Sequence, residues 1–316
     1  MTSPTPQALL QMRACQGSKR GARRDPYHLA LVLEGGGLRG VVSVGMAAGF
    51  EDLGLYDCFD SVHGSSAGAC GGAYFAAGQA RFGGAVYYED INNRRFVNYL
   101  RPLIGKPIMD TDFLISEVMQ HRKPLLVDRI IENPGLMNVV MTRADTGEAT
   151  TINCFKSSKH FFDVLAATIH LPVIAGREAF VEGEPFLDGG LTHQIALESA
   201  QCLGATHAII GMTRKEGDVE RRDRTRGFSF EAAVLKACYG KDIETLFRRR
   251  NNRINDAVAA VRKGQTDEGM MVDGLIRLPS SVDIERLTTD GSLLKRGFDE
   301  GVSTAVRYSN GARMMP

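Results

Sequence analysis

Neither sign of charge is in excess: 38 basic side chains stand against 37 acidic ones. Overall charge implies no polyelectrolyte partner, and nucleic acid is not expected. The six cysteines, Cys15, Cys58, Cys70, Cys154, Cys202 and Cys238, include no C-x-x-C pair. Their scatter argues against zinc ligation and a dense disulfide framework, so no metal is expected. Cys58 and Cys70 stand in apolar surroundings, as buried free thiols do, and a reducing, cytoplasmic compartment is the expectation. The first residues lack the apolar core of a secretory signal. No stretch reads as a transmembrane helix. Residues 61–80 carry no formal charge, yet they are rich in Gly, Ala and Ser rather than lipophilic. Repeats, low-complexity segments and dividing linkers are missing too. What remains is ordinary globular composition, 43% hydrophobic and 24% charged, with ample material for an enzyme's core. The expected organisation is a flexible basic tail over residues 1–25, carrying Lys19-Arg20 and Arg23-Arg24, then a single domain over residues 26–316. Through that tail, a peripheral membrane surface stays open as a partner. Nothing in the sequence sets the oligomeric state.

The centre of the chain's organisation is Gly64-Ser65-Ser66-Ala67-Gly68, a G-x-S-x-G pentapeptide between a strand expected at 59–63 and a small-residue helix pattern running to Gly78. Strand, sharp turn and helix in that order make a nucleophile elbow, with Ser66 held at the positive end of the helix. Gly64 and Gly68 flank the turn, where a Cβ would meet neighbouring backbone. Upstream, residues 28–33 form a continuous apolar run that suits a strand buried on both faces. It leads into Glu34-Gly35-Gly36-Gly37-Leu38-Arg39-Gly40 and a packed helix over 41–53. Two readings of this loop compete. Gly35, Gly37 and Gly40 satisfy the dinucleotide fingerprint G-x-G-x-x-G, with Asp57 or Asp60 near the ribose distance. Alternatively, consecutive glycines present backbone N–H groups to one oxyanion. The next strand ends in the elbow rather than in an acidic residue, which favours acyl transfer. In a parallel sheet both turns open at the same edge. Arg39 is either a loop anchor, a structural ion pair or a source of positive potential.

A second candidate is Asp188, in Phe186-Leu187-Asp188-Gly189-Gly190 after a turn at 182–185. Its carboxylate can accept the Ser66 proton if the fold joins two positions 122 apart; taken singly, Asp-Gly is a common turn. Histidine is the usual base for serine, and there are seven: His28, His63, His121, His160, His170, His193 and His207. The order Ser66, Asp188, His207 fits an α/β-hydrolase, but His207 opens an apolar strand pattern where a structural role is expected. Further along, strands are expected at 137–143, 148–153, 206–213 and 270–278. Helices are expected at 112–121, 161–167, 230–261 with a break near Tyr239-Gly240, and 293–306. The aromatics Phe82, Tyr87, Tyr88, Phe96 and Tyr99 are expected mostly in the core, with an apolar groove as the alternative. Residues 216–226 are densely charged in both signs and read as a solvated loop, and Arg248-Arg249-Arg250 reads as an exposed polar face.

Taken in order, these motifs resemble those of the patatin-like phospholipases: the acidic residue with Gly-Gly-Gly-x-Arg-Gly at 34–40, the elbow at 64–68, and Asp-Gly-Gly at 188–190. Ala166-Ala167-Thr168 to Pro172 is similar to the family's Ala-Ser-x-x-x-Pro segment, with threonine in place of serine. The resemblance runs from about residue 28 to 214 and is weaker beyond. It implies a three-layer α/β/α sandwich around a mainly parallel sheet. It also implies a Ser–Asp dyad without a catalytic histidine, Ser66 as nucleophile and Asp188 as base. Backbone N–H groups of Gly35, Gly36, Gly37 and Leu38 would form the oxyanion hole. The implied activity is hydrolysis of fatty-acyl esters through an acyl-serine, with lipid as substrate and neither metal nor cofactor. Two rivals remain: a Ser–His–Asp α/β-hydrolase, and a non-catalytic module binding nucleotide or lipid through the glycine loop.

Overall fold

An apolar run without alternation needs cover on both faces, and residues 29–33 have it. In the computed structural model, which describes residues 3–172, 174–218, 229–278 and 280–311, eight strands form one sheet. They are β1 (Leu29–Leu33), β2 (Ser61–Gly64), β3 (Met137–Arg143), β4 (Ala149–Ile152), β5 (Ala179–Val181), β6 (Glu184–Asp188), β7 (His207–Lys215) and β8 (Met271–Arg277). The α-helices are α1 (Pro6–Cys15), α2 (Val41–Asp52), α3 (Ala67–Ala76), α4 (Ala80–Ala85), α5 (Val127–Ile131), α6 (Ser158–Ile169), α7 (Leu197–Cys202), α8 (Phe230–Lys263) and α9 (Gly291–Ser309), and the helix expected at 112–121 is a π-helix over Phe113–Arg122. Leu29, Leu31 and Leu33 of β1 join a core with Val44 of α2, Phe75 of α3 and Phe298 of α9. Ala30 and Val32 join a second core with Ala200 of α7 and Ile254 and Val258 of α8. The sheet thus lies between two helical layers, a three-layer α/β/α sandwich.

The sheet order is β5-β6-β3-β2-β1-β7-β8, with β4 also on β3. Pairs β3/β2, β2/β1, β1/β7 and β7/β8 are parallel, and the pairs involving β4, β5 and β6 are antiparallel. Strand β3 has three partners for its two edges. Val139 pairs both Gly64 and Ile152, and Met141 pairs both Asp188 and Thr150. Strand β4 therefore takes one edge, while β2 and β6 divide the other and meet end to end. That division sets the last residue of β6, Asp188, opposite the turn that follows β2. Helix α8 bends at Gly240, where φ is 87°, as its sequence break anticipates. The charged stretch expected as a solvated loop lies largely in residues 219–228, outside the described residues.

The N-terminal segment differs from the mobile tail expected of it. Residues 6–15 are helical, with Thr5 capping through its hydroxyl, which accepts from the Ala8 N–H. Arg13 is fully buried. Its guanidinium donates five hydrogen bonds, to both Asp25 carboxylate oxygens, to Asp60 Oδ2, and to the carbonyls of Cys58 and Tyr27. Arg23 adds a bond to the other Asp60 oxygen, and Arg20 donates to the Phe59 and Tyr56 carbonyls. Arg13, Arg20 and Arg23 thus clamp acceptors beneath β2, while Lys19 and Arg24 are exposed. Breaking a buried ion pair from one side typically costs about 3–5 kcal/mol, so Arg13→Ala is expected to lower unfolding free energy by that amount in urea titrations. Arg13→Lys should recover little, because an ammonium does not reproduce the planar fork. A loss below about 1 kcal/mol, the range of an exposed ion pair, would mean that the segment is only loosely docked.

Candidate active site

The elbow joins β2 to α3. Ser66 sits at φ 53°, ψ −132°, a region that costs a non-glycine residue about 1–3 kcal/mol and persists only when its surroundings hold it. The crowding is measurable. A Cβ on Gly64 would come within 2.5 Å of the Gly68 carbonyl carbon, and one on Gly68 within 2.2 Å of the Leu33 carbonyl oxygen. Both glycines are required by close backbone approach. The Ser66 N–H donates to Thr168 Oγ1 at 3.0 Å, and that hydroxyl donates to the Val140 carbonyl. The Ser65 hydroxyl donates to the His193 carbonyl at 2.6 Å.

Asp188 reaches the elbow from the end of β6. The Ser66 hydroxyl donates to Asp188 Oδ2 at 2.8 Å, and the Gly190 N–H donates to Oδ1 at 2.7 Å. The Asp188 carbonyl accepts from Thr142 Oγ1, and its N–H donates to the His170 carbonyl. The side chain is almost closed off, with the residue 4% exposed. Burial raises its pKa to about 6, against the opposing pulls of the Gly190 N–H, the Ser66 hydroxyl and the Arg286 charge. Four of the histidines, His63, His170, His193 and His207, are held by other partners. His207 lies at the start of β7, hydrogen-bonded to the Pro4 carbonyl and Thr206. His63 bonds Ser61 and Ser199, and burial drives its pKa down to about 3. His193 pairs with Glu198, and His170 with the Ala166 carbonyl. Among the described residues, none of the seven hydrogen-bonds the Ser66 hydroxyl. Asp60, the candidate ribose ligand, lies at the opposite end of the parallel strands and is held by Arg13 and Arg23.

The glycine loop lies beside both groups, but its four expected donors are not equivalent. The Gly35 N–H donates to the Gln194 carbonyl, and the Leu38 N–H to the Arg286 carbonyl. Both are engaged within the fold, which corrects the expectation that all four serve one anion. Among the described residues, the N–H groups of Gly36, Gly37 and Ala67 have no protein acceptor. Gln194 also donates to the Gly35 carbonyl and to the buried Glu34 carboxylate. Arg39 folds under the loop: its Nε donates to Thr213 Oγ1, and its Nη2 stands 3.8 Å from Glu34. A Cβ on Gly36 would lie 2.7 Å from that same Nη2. Burial lowers the Arg39 pKa to about 10, with Glu34 pulling it back. Thr168, Gln194 and Arg286 thus shape the site without having stood out as site residues in the sequence. Thr168 alone carried a signal, its place in the Ala-Ala-Thr segment.

Ser66, Asp188 and the glycine loop line one cavity that is open to solvent. Its depth is apolar, with Tyr74, Tyr87, Ile91, Phe96, Leu114 and Met119 among the walls. Tyr87 and Phe96 are therefore both core and groove, whereas Phe82 and Tyr99 are exposed. Cys70 also lines it, and burial pushes its thiol up to about 12, leaving it an inert wall. Two cations border the cavity, Arg250 stacked at 3.6 Å over Phe247, and Arg286. Arg250 departs from the exposed face expected for 248–250.

Comparison with known proteins bears on this arrangement. The uncharacterized protein YjjU of Escherichia coli (strain K12) is 29% identical over 190 residues, which are 59% of this chain and 52% of that protein. The chain thus spans about half the length of the curated relative it matches. The crystal structure of VipD from Legionella pneumophila aligns with 90% of this chain and 67% of its own, at a TM-score of 0.43 and 12% identity. A family model described as patatin-like phospholipase matches residues 31–200. That span is more than half the chain, and it contains the glycine loop, the elbow and Asp188. The chain belongs to the patatin-like phospholipase family, a family of lipid acyl hydrolases.

Proposed function

We propose that this protein hydrolyses fatty-acyl esters of lipids with a Ser66–Asp188 dyad. The single observation that carries the reading is the 2.8 Å hydrogen bond from the Ser66 hydroxyl to a buried carboxylate, with no histidine on that hydroxyl. Asp188 takes the Ser66 proton as Oγ bonds to the ester carbonyl carbon. The developing oxyanion lies against the N–H groups of Gly36 and Gly37, where each donor typically contributes about 2.7–4 kcal/mol. Collapse of the intermediate expels the alkoxide, which takes the proton from Asp188 and leaves an acyl-serine. A water then loses a proton to Asp188 and attacks the acyl carbon. Ser66 departs and recovers its proton. Arg39 acts as the anchor of the loop, and the apolar depth of the cavity accommodates the acyl chain. No observation favours a histidine triad or a dinucleotide site.

The test is covalent labelling by a fluorophosphonate probe, followed by intact mass across pH. One adduct is expected on the wild-type chain and none on Ser66→Ala. The rate should climb about tenfold per pH unit below 6 and level off above it, because only ionised Asp188 accepts the proton. An adduct on folded Ser66→Ala would remove Ser66 as nucleophile. A midpoint near 7 that vanished in His193→Ala would replace the dyad with a histidine base.

A further inference from the structure

Tyr99, Leu100, Leu103 and Ile104 are 65, 68, 82 and 71% exposed. They are four large apolar side chains within six residues, and the other exposed large apolar residues stand apart in the chain. The turn that presents them is built. Val97 bridges Met109, the Asn98 N–H donates to the Ile108 carbonyl, and the Leu100 N–H to Asn98 Oδ1. Arg101 ties the turn to the Arg95 carbonyl and to Asp110 Oδ2. Residues 94–106 contain Arg94, Arg95, Arg101 and Lys106 and no acidic residue. Arg94 and Lys106 are exposed and in no ion pair among the described residues. Both segments descending from the tip reach the cavity, since Phe96 and Met109 are in its wall.

We propose that the 98–108 turn is the element by which the protein docks on an anionic phospholipid surface. Leu100, Leu103 and Ile104 enter the acyl boundary, and Arg94 and Lys106 meet the headgroups. Such docking sets the cavity against the phase that holds its substrate. The choice of lipid over a protein partner rests on reading that cavity as an acyl site. It also shifts the membrane contact from the N-terminal tail, where Arg20 and Arg23 are held by acceptors beneath β2, to this turn.

The experiment is co-sedimentation with sucrose-loaded vesicles, either phosphatidylcholine alone or equal parts phosphatidylcholine and phosphatidylglycerol. Full-length wild type, Ser66→Ala, L100S/L103S/I104S and R94Q/K106Q are compared. Ser66→Ala should bind as wild type does, which keeps docking separate from catalysis. The triple variant should lose more than about 30-fold in partitioning yet hydrolyse soluble p-nitrophenyl butyrate at the wild-type rate. The charge variant should lose about 10- to 30-fold on the anionic vesicles and little on the neutral ones. Wild-type binding by the triple variant, or no sedimentation of wild type with anionic vesicles, would overturn the proposal. So would a wild-type dimer that the triple variant dissociates in analytical ultracentrifugation, which would assign the tip to a second copy. Absence of esterase activity in every variant would instead strike the dyad, leaving the sedimentation result to judge the turn.

Discussion

Asp188→Asn is expected to give a folded protein that is more heat-resistant than wild type at pH 8 and about 10²–10⁴-fold slower on a soluble ester, the range of a lost general base. Asparagine preserves the local bonding. Its Oδ1 can accept from the Gly190 N–H, and its Nδ2 can donate to Ser66 Oγ, where the carboxylate now accepts. What it removes is the proton acceptor, and no histidine stands in reserve at Ser66. The stability gain follows from linkage. Burial holds the Asp188 pKa at about 6 in the folded chain, above the ordinary 3.8. Protons thus bind the folded state more tightly, and stability is lost as pH rises from about 4 through 6. Above 6 the ionised carboxylate costs up to about 3 kcal/mol, at 1.36 kcal/mol per pH unit between the two values. Asparagine escapes that cost, so its thermal advantage should be present at pH 8 and shrink toward zero near pH 4. Calorimetry at the two pH values and stopped-flow acylation check both halves. A wild-type acylation rate in folded Asp188→Asn would end the dyad, whatever the melting data.

Much of this site was legible because it is made of backbone geometry. The run 29–33, the glycines after Glu34 and the G-x-S-x-G turn each have one steric explanation, and parallel pairing of β1 with β2 joins them at one edge. The approach of Asp188 was not legible. Strands β5 and β6 are short, Pro185 interrupts their pattern, and only their turn at Glu182 and Gly183, both at positive φ, stood out. The end-to-end meeting of β2 and β6 along β3 is a tertiary fact with no local signature. The same holds for Gln194 and Arg286, lone polar residues whose positions decide which loop N–H groups stay free. The N-terminal segment shows the converse error. Basic residues among Gly, Ser and Pro look solvated until the sheet supplies acceptors, here the Asp25 and Asp60 carboxylates and the carbonyls beneath β2.

Gly189→Ala is expected to lower activity by at least about 10²-fold and stability by about 1–3 kcal/mol, the usual cost of overpacking. Asp-Gly suggests a turn that needs left-handed backbone, yet Gly189 is absent from the positive-φ glycines. Its constraint is space. A Cβ there would fall 2.0 Å from the Val140 carbonyl oxygen and 2.9 Å from Ser65 Cβ. The Val140 oxygen also accepts the Thr168 hydroxyl that holds the Ser66 N–H. Three backbone segments therefore cross at this point: β3, the elbow and the end of β6. None has a flexible tip to yield, so a methyl group must separate Asp188 from Ser66, and a displacement of about 1 Å can cost 10²-fold. Gly190→Ala makes an informative contrast. Its Cβ would press on Asp188 Oδ1 at 2.9 Å, a side-chain atom, so activity should fall with less loss of stability. Fluorophosphonate labelling and urea denaturation of both variants separate the two effects. A Gly189→Ala protein with wild-type labelling would mean that Asp188 does its work without the contact seen across this crossing, and the base would have to be sought elsewhere.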